Sequence, residues 1–154
     1  MRMLVAVVGK PRDAALATAI REYETRAARY WPLELKEVRE EAGRSLSSQE
    51  VRDREAERLS AVLPDAAYIV LCDLSGTAMT SEAFAQWLQR RREQAKDLAF
   101  VIGGAYGIGA PAAQRASMRL SLAPWTLPHE IARLVLAEQL YRAGTIVRRE
   151  PYHK

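Results

Sequence analysis

The sequence predicts an α/β domain with a mostly parallel sheet and helices on both faces. Short apolar runs alternate with helical patterns along the whole chain, an order that implies parallel strands joined by crossover helices. The runs are four to six residues long, the length of buried strands. Two late loops, one glycine-rich and one proline-rich, follow such runs directly, where α/β folds place their ligands. With 154 residues the chain makes one domain, 1–154, large enough to bury a sizeable core.

Met3–Val8 is the first strand, and Lys10, Arg12 and Asp13 close it. From Asp13 to about Ala28, Leu16, Ile20, Tyr23 and Ala27 share one helical face. Leu33–Val38 is a second strand and 41–48 a polar loop. Ser47 followed by Glu50 is a capping-box signal for a helix to about Leu63. Tyr68–Asp73 is a third strand, Ser75-Gly76-Thr77 a loop, and Ser81–Lys96 a helix. Leu98–Ile102 is the fourth strand, and Pro111 suits the first turn of a short helix. Leu120–Ala123 reads as a fifth strand, Pro124–Pro128 as a rigid loop and Glu130–Thr145 as the final helix. Ile131, Leu134, Val135, Leu136 and Leu140 make that helix apolar around much of its circumference. Such a helix is either central to the core or buried against another molecule, and a subunit interface is the preferred reading.

Composition excludes several classes. No apolar run approaches the 18 or so residues of a membrane span. The N-terminal stretch is too short for a signal peptide and lacks a small-residue cleavage site. The single Cys72 forms no intrachain disulfide, which suits a reducing cytoplasm. With only His129 and His153, no histidine-based metal site is expected. The net charge of +4 is uneven: residues 1–114 hold 16 basic and 16 acidic side chains, residues 115–154 seven against three. A basic C-terminal segment suits an anionic partner such as RNA, while Arg148 and Arg149 also suit an ordinary helix end.

The glycine loop Gly103-Gly104-Ala105-Tyr106-Gly107-Ile108-Gly109 is not a dinucleotide fingerprint. It follows the fourth strand and no acidic residue comes until Glu130. It lacks the Gly-Lys-Ser/Thr of a phosphate loop, and the chain has no G-x-S-x-G elbow. Taken alone it reads as a glycine-rich turn.

Taken with the rest, it carries a resemblance. Val101-Ile102-Gly103-Gly104 with Gly107, Leu120-Ser121-Leu122, Thr126-Leu127-Pro128-His129, the segment Ala137–Ala143, and Pro151-Tyr152-His153-Lys154 resemble the RlmH family. These are small SPOUT-class methyltransferases of large-subunit ribosomal RNA, and the resemblance spans the whole chain. It implies a C-terminal trefoil knot, which sequence rules alone argue against. It implies a homodimer, S-adenosylmethionine as cofactor, and methylation of N3 of a pseudouridine in a 23S rRNA stem-loop on the assembled ribosome. It places cofactor contacts on Leu71, Cys72, Gly103 and Gly104, and on Leu122, Ala123, Pro124, Trp125, Thr126 and Leu127. Cys72 stands where leucine is common in the family, and Ala123-Pro124-Trp125 also departs from it.

The donor methyl sits on a sulfonium, so the catalytic share left to the protein is the acidic N3–H proton. Candidates are His129, Glu138, Arg142, Tyr152 and His153. His129 reads equally as a helix cap or as a base. Glu138 and Arg142, four apart, also read as an ordinary helix pair. Tyr152-His153 would ordinarily be a frayed terminus, but the resemblance implies that the tail orders over the substrate base. Two other classes compete: a nucleotide-dependent α/β enzyme, opposed by the missing fingerprint, and a catalytically silent ribosome-binding protein of the same fold.

Overall fold

The computed structural model describes residues 1–154. Its strands are β1 (Met3–Val8), β2 (Leu33–Val38), β3 (Tyr68–Ala78), β4 (Leu98–Ile102) and β5 (Met118–Ser121). They form one sheet in the order β2-β1-β4-β3-β5, parallel at every pairing. The helices are α1 (Ala14–Ala27), α2 (Ser48–Val62), α3 (Ser81–Glu93), α4 (Ala110–Ala113) and α5 (His129–Val147).

Alternation along the strands divides the core in two. Val5, Val7, Val70, Phe100 and Ile102 face one cluster, closed by Trp31, Phe84, Leu136 and Leu140 from the α1, α3 and α5 side. Ala6, Val8, Leu71 and Val101 face the other, closed by Ala56 and Leu59 of α2 and Ala112 of α4. Every residue of β1 and β4 is buried, as expected of central strands in a parallel sheet covered on both sides. Each large side chain so buried contributes about 1.5–3 kcal/mol.

Local signals set most helix starts. Ser47 and Glu50 form the reciprocal capping box of α2. Asp13 caps α1 by accepting from the Leu16 N–H at 2.9 Å, and Thr80 caps α3. The helix expected over Ser81–Lys96 stops at Glu93, because Ala95 takes a left-handed conformation at φ 55.

Two strand expectations are corrected. Ser75-Gly76-Thr77 is not a simple loop: β3 bulges after Cys72 and resumes, so that both Cys72 and Thr77 pair with Leu120. The last strand runs over Met118–Ser121, not Leu120–Ala123, because its partners are Val70, Leu71 and Cys72 before the bulge and Thr77 and Ala78 after it. Helix α5 lies against both α1 and α3 and buries Leu136, Ala137, Leu140, Ala143 and Gly144 in the chain's own core. Ile131, Leu134 and Val135 remain half-buried on its outer side.

Candidate active site

The bulge of β3 at 72–74, the carboxyl end of β4, the glycine loop, the 122–128 loop and the start of α5 enclose a cleft of about 640 Å³. That volume suits a cofactor-sized ligand. Eight of the expected cofactor residues line it: Cys72, Gly103, Gly104, Leu122, Ala123, Trp125, Thr126 and Leu127. Leu71 does not, since the strand's two-residue period turns its side chain into the α2-side core. Pro124 is exposed beside the lining residues without lining the cleft itself. Asp73, Leu74, Ile102, Ile108, Pro128 and Ala132 complete the walls with His129.

The glycine loop turns back on itself. Gly104 and Gly107 form an antiparallel bridge, and Gly107 sits at φ +86, where a side chain would be strained. The N–H groups of residues 103, 105 and 106 donate to no protein acceptor, nor do those of 122, 123 and 125–127 across the cleft. Two loops with main-chain donors unused by the protein therefore border a shared space whose walls include Ile102, Leu122 and Leu127. Such a site grips a polar heterocycle through backbone groups and its flat faces through apolar contact.

Two groups at the end of β3 are held in opposite protonation states. Burial pushes the Cys72 thiol up to about 12, so it stays protonated. Burial also works to raise Asp73, but the Ser75 N–H and hydroxyl and the Arg119 guanidinium outweigh it and hold the carboxyl below its usual range. A carboxylate at a strand's carboxyl end was visible in the sequence; its place in the cleft follows from the non-local pairing of β3 with β5.

The five catalytic candidates occupy two places. His129 opens α5 at the cleft, and its ring makes no hydrogen bond to the protein, so it does not cap the helix. The other four gather farther along α5. Arg142 Nε donates to Glu138 Oε1 at 2.9 Å, and the Tyr152 hydroxyl donates to the same oxygen at 3.0 Å. Arg142 Nη1 donates to His153 Nδ1 at 3.2 Å, leaving Nε2 to carry the proton that faces Glu82 at 2.8 Å. Burial, with Tyr23 and Glu138 beside it, keeps the Tyr152 phenol protonated well above its usual range. At 1.5 Å per residue, His129 and Arg142 lie about 20 Å apart along the axis.

The basic C-terminal segment is mostly spent on structure. Arg115 donates to the Ser60, Leu63 and Pro64 carbonyls, which fastens the end of α2. Arg119 pairs with Asp73, Arg133 with Glu24 and Glu37, and Arg142 with Glu138. Four of the seven basic side chains of this segment are thus held in contacts within the fold. No helix is long and apolar enough to cross a membrane.

A family model described as predicted SPOUT methyltransferase matches residues 1–153. The chain is 63% identical, over the full length of both, to the ribosomal RNA large subunit methyltransferase H of Gemmatimonas aurantiaca. It is 43% identical to the protein of the same name from Citrifermentans bemidjiense, covering 99% of each. Among solved structures it resembles TrmJ from Z. mobilis, with a TM-score of 0.52 at 16% identity, covering 100% of this chain and 73% of that one. This last likeness is one of fold.

Proposed function

The chain belongs to the SPOUT methyltransferase family, and from that premise we propose that it is a ribosomal RNA large subunit methyltransferase that uses S-adenosylmethionine. The observation that carries the reading is the cleft, lined by two loops, the glycine loop and 122–127, that keep main-chain N–H groups unused by the protein. Those residues fit the cofactor. Backbone donors suit adenine and ribose, Ile102, Leu122 and Leu127 suit the ring faces, and Asp73 supplies an anionic acceptor. A C-terminal trefoil knot formed by these two loops belongs to the same proposal.

The substrate is N3 of a pseudouridine in a 23S rRNA stem-loop on the assembled ribosome, in the cytoplasm. When bound, the cofactor supplies a methyl group on a cationic sulfur. The chain's residues orient the base and take the N3 proton. Arg142 and Tyr152 are donors able to hold the two carbonyls that flank N3. His129, whose ring has no protein partner, is the free proton acceptor, and Glu138 and His153 are acceptors only once their own partners release them. Glu138 and His153 are already engaged within one chain, and about 20 Å of helix separates Arg142 from the cleft. A homodimer resolves this: the tail of one protomer completes the cleft of its partner, and the outer apolar side chains Ile131, Leu134 and Val135 of α5 supply contact surface.

The test is transfer of labelled methyl groups to ribosomes lacking the modification, with the product nucleoside identified by mass spectrometry. Methylated pseudouridine in 23S rRNA supports the reading. Cofactor binding without transfer favours the alternative, a silent ribosome-binding protein of the same fold.

A further inference from the structure

Behind the glycine loop lies a carboxyl group that the site described above does not use. Glu55 of α2 is 2% exposed, among apolar neighbours that include Ala56 and Leu59. Its Oε2 accepts from the Glu41 N–H at 3.1 Å. Its Oε1 is buried and has no donor. The same Oε1 lies 2.6 Å from the point where a Cβ on residue 104 would sit, so glycine is what lets the loop rest against it. The other side of that loop lines the cleft. An acceptor without a donor therefore meets a loop whose N–H groups at 103, 105 and 106 have no acceptor. Native structures rarely leave a buried acceptor unmatched without a reason. Burial raises the Glu55 carboxyl above its usual range, Glu40 adds to this, and the Glu41 N–H, Arg58 and His129 oppose it.

We propose that Glu55 is a positioning residue for the cofactor loop. When the cleft is filled, the loop closes by one hydrogen bond from the Ala105 N–H to Oε1, fixing the wall that faces the ligand. Glu55 itself touches no ligand and acts through the loop backbone. The proposal rests on the reading of the cleft as the S-adenosylmethionine site.

Glu55→Gln keeps the volume but removes one of the two acceptors, so once its oxygen serves Glu41 it presents an NH₂ to the loop's N–H groups. Wild type and E55Q are titrated calorimetrically with S-adenosylhomocysteine, alongside the ligand-free Tm and hydrogen exchange at amides 103–107. The expected result is about tenfold weaker binding by E55Q, the worth of one hydrogen bond, with an unchanged or higher Tm. Saturating ligand protects the loop amides less in E55Q than in wild type. Wild-type affinity in E55Q overturns the proposal, and so does a wild-type loop that gains no protection on saturation. If E55Q does not fold, Glu55→Asp, which keeps the charge and shortens the reach, takes its place in the same titration. The same weakening is then expected, and wild-type affinity overturns the proposal. Failure of wild type to bind at all overturns the cleft reading and this proposal with it, whereas equal binding by both proteins overturns this proposal alone.

Discussion

The Tyr152 hydroxyl donates to Glu138 Oε1 across 3.0 Å, fastening the end of the chain to a helix position fourteen residues earlier. Arg142 reinforces the junction: it donates to the same carboxylate and lies 4.7 Å over the Tyr152 ring. The Tyr141 ring packs 4.5 Å from that of Tyr152. A terminus with this many partners is built into the fold, and under the proposed function its residues supply donors to the substrate base.

Removing Pro151–Lys154 therefore costs activity more than stability. Methyl transfer to ribosomes falls at least a hundredfold, about 3 kcal/mol of transition-state stabilisation. Initial rates with saturating cofactor, set beside the Tm of the truncated protein, check this. Transfer at the wild-type rate excludes a catalytic tail.

The dimer arrangement has its own test. A tail-truncated chain is mixed with a chain carrying Gly103→Val, which blocks the cleft. If the tail of one protomer serves the cleft of its partner, mixed dimers regain one working site each, about a quarter of wild-type activity after random exchange in a two-fold dimer. If each tail serves its own cleft, the mixture stays inactive.

The tyrosines give a pH prediction. The native pKa of Tyr152 is raised by burial and by Tyr23 and Glu138, and that of Tyr30 by its hydrogen bond to Glu150. A raised native value means that the contribution is fully present below the ordinary phenol range, near pH 10, and is lost as pH rises through the native value. A titration followed at 295 nm shows these two ionising above the ordinary phenol range. Tyr152→Phe removes one of the late ionisations and leaves the other.

Arg133 tests the packing of α5. It is 7% exposed and is held by Glu24 at 2.7 Å and Glu37 at 3.4 Å. Arg133→Met leaves the Glu24 carboxylate poorly solvated and unpaired, and costs about 3 kcal/mol. Urea unfolding measures it, and Glu24→Gln combined with Arg133→Met recovers part of the loss.

Much of the fold was legible because its signals are local. The apolar runs of β1 and β4 and the Ser47/Glu50 capping box need nothing beyond their own neighbourhood. The continuation of β3 past Cys72 was not legible, because it depends on pairing with β5 more than forty residues later. Glu55 and Arg133 were hidden for another reason: in a sequence, charged residues on a helix read as a solvated face, and only tertiary packing turns them inward. In the site, the loops were legible from their glycines and prolines. The lining of Cys72 but not Leu71 follows from strand alternation and the choice of face. The separation of His129 from the tail cluster required the course of α5.

Whether the cleft between the glycine loop and the 122–127 loop holds S-adenosylmethionine is decided by calorimetric titration with S-adenosylhomocysteine, with NADH as control. Saturable binding of the former alone, weakened by substitution of Gly103 or Leu127, is the expected result. Absence of binding, or binding of NADH with equal affinity, would contradict it.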